Sequence, residues 1–149
     1  MSISEGRAVV RKPYAILVAC LTWFMAPCAL AQIVIVSGAQ SPLPELTRTQ
    51  VEQFYLGRAH SLPDGVAVTL ADLPASPLRD RFYQNLTGKN PGQIRAHWSR
   101  MVFTGRALPP QEAADIAQLR QWLNSIPNMI GYMPSAEADS RVRVLLRLP

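Results

Sequence analysis

From Ile33 onward, short apolar runs alternate with longer segments whose apolar residues recur every three or four positions. That pattern predicts strands interleaved with helices. Ile33-Val34-Ile35-Val36 is continuous, β-branched and closed by Ser37-Gly38, as expected of a strand buried on both faces of a sheet. Thr47-Arg48-Thr49-Gln50 matches a capping box, with Leu46 and Val51 placed as a hydrophobic staple. The helix it opens carries Val51, Phe54 and Tyr55 inward and stops at Gly57. Pro63-Asp64-Gly65 forms a turn, and Val66–Leu70 is expected to be the second strand.

Ser76 is placed to cap a second helix with Pro77 at its first position, where the missing N–H costs nothing. Leu78, Phe82 and Leu86 give its apolar stripe and Gly88 its end. Asn90-Pro91 repeats the start, and Ile94, Trp98, Met101 and Val102 face inward until Gly105. Pro109-Pro110 is expected to open a fourth helix, with Ile116, Leu119 and Leu123 inward, stopped by Pro127. Met129–Tyr132 follows as a strand containing Gly131, and a glycine there marks close approach by another backbone or a ligand. The alternation Arg141-Val142-Arg143-Val144 fits a last strand with one wet face, antiparallel on an edge. The expected product is an α/β domain in which Ile33–Val36, Val66–Leu70, Met129–Tyr132 and Val142–Leu146 share a small mixed sheet flanked by helices, with Phe82 and Trp98 buried.

The first 31 residues read as an export leader. Arg7, Arg11 and Lys12 are its positive start, Tyr14–Met25 its apolar core, and Ala29-Leu30-Ala31 its cleavage site. The competing reading is a membrane anchor, which needs about 20 apolar residues, whereas this run breaks at Pro27. Cleavage after Ala31 would leave 118 of the 149 residues as one periplasmic domain over 32–149, and both cysteines, Cys20 and Cys28, would leave with the leader. The fifteen basic and ten acidic residues lose Arg7, Arg11, Lys12 and Glu5, leaving twelve and nine, a net charge of +3. Lys89 is then the only lysine, and arginine suits two-pronged contact with carboxylate or phosphate. No basic run interleaved with aromatics occurs, which argues against nucleic acid. His60 and His97 are isolated, so no metal site is expected, and no nucleophile or phosphate-loop motif suggests catalysis or a cofactor.

Four landmarks in order, Phe54-Tyr55-Leu56-Gly57, Ser76-Pro77-Leu78-Arg79-Asp80-Arg81-Phe82, Trp98 with Phe103-Thr104-Gly105, and Ile126–Pro134, resemble one lobe of the phosphate-type substrate-binding proteins of bacterial ABC transporters. The resemblance runs from about Ile33 to Leu146 and implies a single lobe of the type II periplasmic-binding fold. Full members of that family have two lobes and bind ligand between them, so it implies phosphate or another small oxyanion as ligand and a membrane transporter as partner. With half a cleft, transport would need a partner lobe, a homodimer or a changed binding mode. The alternative is a secreted accessory module that keeps the fold, contacts another periplasmic protein and has lost its ligand.

The resemblance also implies a binding position at the Ser76 helix start, where unpaired N–H groups and the helix dipole attract anions. The family's Ser-Gly-Thr triplet is here Ser76-Pro77-Leu78, so Pro77 lacks an N–H and Leu78 lacks a hydroxyl. Asp72 stands near the position of an expected arginine, where a carboxylate would repel phosphate. The plainer reading makes Ser76 an N-cap alone. Thr104-Gly105-Arg106 is the second candidate, through an arginine in a loop reaching an anion. There the plainer reading makes Gly105 a helix-ending residue and Arg106 a solvated one.

Overall fold

The computed structural model describes residues 31–149, and the expected leader, Ala31 apart, lies outside them. Strands β1 (Ile33–Gly38), β2 (Thr69–Asp72), β3 (Gln111–Glu112), β4 (Met129–Pro134) and β5 (Val142–Leu148) form one mixed sheet in the order β3-β2-β4-β1-β5. Helices α1 (Arg48–Tyr55), α2 (Pro77–Thr87), α3 (Pro91–Phe103) and α4 (Ile116–Ser125) flank it. β1 is antiparallel to β4 and β5, whereas β2 is parallel to β4 and β3. This is the expected α/β class, with β5 on an antiparallel edge. No helix among the described residues is long and apolar enough to cross a membrane.

Local chemistry set most element starts as the sequence suggested. Thr47 caps α1 with a complete capping box, and Asn90 does the same for α3 through Gln93. Ser76 caps α2, and Gly88 ends it in the left-handed conformation. β1 is buried along its whole length, because β-branched side chains fill both faces between two neighbouring strands and the helices over them.

Three boundaries differ from expectation. Val66–Val68 does not enter the sheet; Leu62 N donates to Val66 O and Val68 N to His60 O, folding the segment back on residues 60–62, so β2 starts at Thr69 and runs on to Asp72. Pro109-Pro110 does not open α4. It leads into β3, a two-residue edge pairing with Ala71 and Asp72, and proline is tolerated beside an edge where its missing donor is not needed. α4 begins at Ile116, after Asp115 accepts from Gln118 N at 2.8 Å. Finally, β5 reaches Leu148, and its register slips between Ile35 and Val36, leaving Leu145 as an extra residue. Leu145 is buried and its carbonyl accepts from Leu46 N, so the bulge ties β5 to the chain entering α1.

α4 lies close over β1 and β4 at two glycines. A methyl group on Gly131 would fall 2.6 Å from Leu119 Cδ1, so the close neighbour is a helix side chain, neither backbone nor ligand. A methyl group on Gly38 would fall 2.2 Å from the backbone oxygen of Leu123. A backbone carbonyl cannot rotate aside as a leucine tip can. Gly38→Ala should therefore cost about 1–3 kcal/mol, the range for an overpacked core, and Gly131→Ala less. Urea midpoints of the two variants check the ranking; equal, negligible losses would show that α4 is free to shift.

The core beneath α1 and α2 is aromatic. Phe82 stacks on Tyr132 with ring centroids 3.7 Å apart, and Tyr55 meets Phe82 edge-on at 4.8 Å. Phe82 is fully buried and Trp98 is 7% exposed.

Candidate functional site

β2 and β4 run parallel, so Asp72, the last residue of β2, lies beside Tyr132 in the second half of β4, and α2 starts just beyond β2. In open α/β sheets that end is where ligands bind. The first candidate from the sequence, the Ser76 helix start, lies at this end of the sheet. Its chemistry is different from expectation.

The Ser76 hydroxyl accepts from Arg79 N at 3.2 Å, the third N–H of the helix. Pro77 has none. Of the first-turn donors that remains the N–H of Leu78, whose side chain is half-buried. A single backbone N–H is little to hold an oxyanion that loses hydration on binding.

Asp72 does not stand over the helix start as an open negative charge. It is 4% exposed and receives five hydrogen bonds. Oδ2 accepts from Arg79 Nε at 3.1 Å, Arg79 Nη2 at 3.0 Å and Tyr83 OH at 2.8 Å, while Oδ1 accepts from Tyr132 OH at 2.5 Å and Leu73 N at 2.8 Å. The expectation that Asp72 would repel an anion at this site is corrected accordingly, because Arg79 neutralises it at contact distance. Tyr83 lies one turn after Arg79 on the same helix face, and the guanidinium rests 4.9 Å from its ring centroid. Arg79, Tyr83 and Tyr132 were not singled out from sequence. The i, i+4 spacing of Arg79 and Tyr83 was the only local signal available.

Burial, and after it the Asp72 charge, raises the hydroxyl pKa of Tyr55, Tyr83 and Tyr132. For Arg79, burial opposes the charged form but the Asp72 carboxylate outweighs it, and its pKa is raised. The protein thus supplies its own anion at the helix start, held by an arginine and two tyrosines. Such a group can rigidify the strand ends without any ligand.

The second candidate lies elsewhere. Thr104 is the C-cap of α3 and donates its hydroxyl to Arg100 O at 2.8 Å, so that side chain is engaged. Arg106 is exposed and lines a groove of about 430 Å³ with Gly57, Arg58, His97, Arg100 and Met101. Ser76 and Leu78 open α2, whereas Thr104 and Arg106 follow the far end of α3, and the two pairs do not form one site. Close by, Phe103 and Leu108 are 92% and 80% exposed.

No family model matches the sequence, and no curated protein matches it. Solved structures do share the fold. One is designated a phosphate ABC transporter substrate-binding protein, from Clostridium perfringens, and was determined with bound phosphate. It superposes with a TM-score of 0.60 at 16% identity over 76% of this chain and 44% of its own. An ABC-type phosphate transport receptor from Vibrio cholerae gives 0.59 at 15% identity over 76% and 45%. The chain thus spans less than half the length of either, and its architecture is that of a single lobe of such proteins.

Proposed function

We propose that this chain is a binding protein and not an enzyme: an exported, periplasmic lobe of substrate-binding architecture that takes phosphate or a related small oxyanion weakly and works beside a membrane transporter. The observation that carries this reading is the position of the Ser76 helix start at the carboxyl end of β2, on a fold shared with phosphate-binding proteins. Weakness follows from the donor count, since Pro77 and the Ser76–Arg79 cap leave Leu78 N–H as the first-turn donor.

Calorimetric titration with phosphate should show no tight binding by the natural sequence. Replacing Pro77 by Gly and Leu78 by Thr should improve it, because one N–H and one hydroxyl are restored, each worth about 1.5–3 kcal/mol at best toward a charged group. No gain from the double replacement would remove α2 as the ligand site.

A second reading, an accessory module that contacts another periplasmic protein or a second copy of itself, is favoured by two observations. Asp72, at the end of β2 before α2, is a buried carboxylate already supplied with donors by Arg79, Tyr83 and Tyr132, and Phe103, Leu108 and Val102 form exposed apolar surface at the end of α3.

A further inference from the structure

α1 and α3 end in the same motif, and both ends deliver an arginine to one place. After α1, Gly57 N donates to Phe54 O and Arg58 N to Gln53 O; after α3, Gly105 N donates to Val102 O and Arg106 N to Met101 O. Both glycines are left-handed, at φ +68° and +66°. This double bond pattern is the Schellman ending, in which the residue after the left-handed glycine leaves the helix in a defined direction. That residue is Arg58 in one case and Arg106 in the other. His97 Nε2 lies 2.9 Å from Leu56 O, and since a carbonyl only accepts, the ring donates and clamps α3 to the C-cap of α1. Arg100, one turn after His97, completes the lining of the groove.

The arginines of this groove differ from most others in the chain. Arg48, Arg79, Arg120, Arg141, Arg143 and Arg147 each find a carboxylate, carbonyl or hydroxyl oxygen. Arg58, Arg100 and Arg106 make no side-chain hydrogen bond or ion pair among the described residues, and no carboxylate lines their groove. The helix dipoles do not account for three cations. Each C-terminus carries roughly −0.5 charge, so two of them offset about one arginine and leave about +2. Guanidinium groups gathered without a counter-charge repel one another, and an oxyanion is the partner whose geometry suits them.

We propose that the Arg58–Arg100–Arg106 groove, held by the His97 clamp, is a binding site for the phosphate group of a ligand with net negative charge. It is separate from the Ser76 helix start, and it does not depend on the reading of that helix as a ligand site. The phosphate group can belong to a free anion or to a lipid headgroup, and the exposed Phe103 and Leu108 nearby give the second source an apolar footing.

The test uses the full chain at low ionic strength, titrated with inorganic phosphate and pyrophosphate by calorimetry and with phosphatidylglycerol or phosphatidylcholine vesicles by flotation. Binding of either free anion, or of the anionic vesicles alone, is the expected result. Each Arg→Ala replacement at 58, 100 or 106 should weaken it about 5–10-fold, in line with one charge-assisted bond lost, and the triple replacement should abolish it. The three side chains are exposed, so the thermal midpoint should stay in place, and Arg147→Ala serves as the equal-charge control with unchanged binding. Absence of binding to all four probes, or binding that survives the triple replacement, overturns the proposal. Loss on Ser76→Ala with the triple variant unaffected would also overturn it, while leaving the α2 reading intact.

Discussion

Asp72→Ala should destabilise the protein by about 3–5 kcal/mol, the range for removing one partner of a buried ion pair. The loss would have little to do with the volume removed. It would arise from the donors left behind: the Arg79 guanidinium, whose side chain is 18% exposed, the Tyr83 and Tyr132 hydroxyls, and Leu73 N–H. Those groups were desolvated to meet the carboxylate and would have nothing to bond. Asp72→Asn keeps acceptor oxygen on one side and should cost less. Against a total of about 5–15 kcal/mol for a domain, the alanine variant would lose a large part of its stability. Urea denaturation of both variants checks the ranking, and Arg79→Leu combined with Asp72→Ala closes a double-mutant cycle. If Asp72→Ala cost under about 1 kcal/mol, the carboxylate would be a solvated surface charge after all.

The same network explains why the sequence could be read well in some places and poorly in others. Caps at Thr47, Ser76 and Asn90 depend on residues three positions apart, and all three formed as expected. β1 was legible because four β-branched residues in a row suit a strand buried on both faces. β3 was not, since Gln111–Glu112 is polar, two residues long and held only by its pairing with β2. Nothing local distinguishes it from a loop. The fold-back of Val66–Val68 onto residues 60–62 was hidden for the opposite reason, because a β-branched segment suits either partner. Around the candidate site, the α2 cap was legible and the partners of Asp72 were not. Ser76-Pro77 announces a helix start, but the pairing of Asp72 with Tyr132, sixty residues away, exists only once β2 lies beside β4. The three-arginine groove is the same kind of case, since Arg58 and Arg106 line one groove only once the ends of α1 and α3 are packed together, with His97 as one of the links.

Stability should fall steeply with pH above about 10, the ordinary tyrosine value. Tyr55, Tyr83 and Tyr132 are buried, and their pKa values are raised, first by burial and then by the Asp72 charge. Below the unfolded value both states hold the phenolic protons and the contribution is complete. Above it the unfolded chain releases them while the folded chain keeps them. The folded state then binds more protons, so raising the pH favours unfolding, by about 1.4 kcal/mol per pH unit for each tyrosine and about 4 for the three together. Tyr55 belongs to the group because its hydroxyl donates to Ala71 O at 2.8 Å, a bond its ionised form cannot make. Denaturant melts at rising pH, followed by tyrosinate absorbance, give the slope directly. The native baseline should stay free of the tyrosinate signal from these three residues until the chain opens, and their ionisation and loss of helix signal should coincide. Phenolic titration near pH 10 in a still-folded chain would mean that water reaches the Asp72 cluster. Tyr132→Phe sharpens the reading: it removes one of the three protons, so its alkaline slope should be shallower by about a third, although the variant is less stable at neutral pH for want of the Asp72 bond.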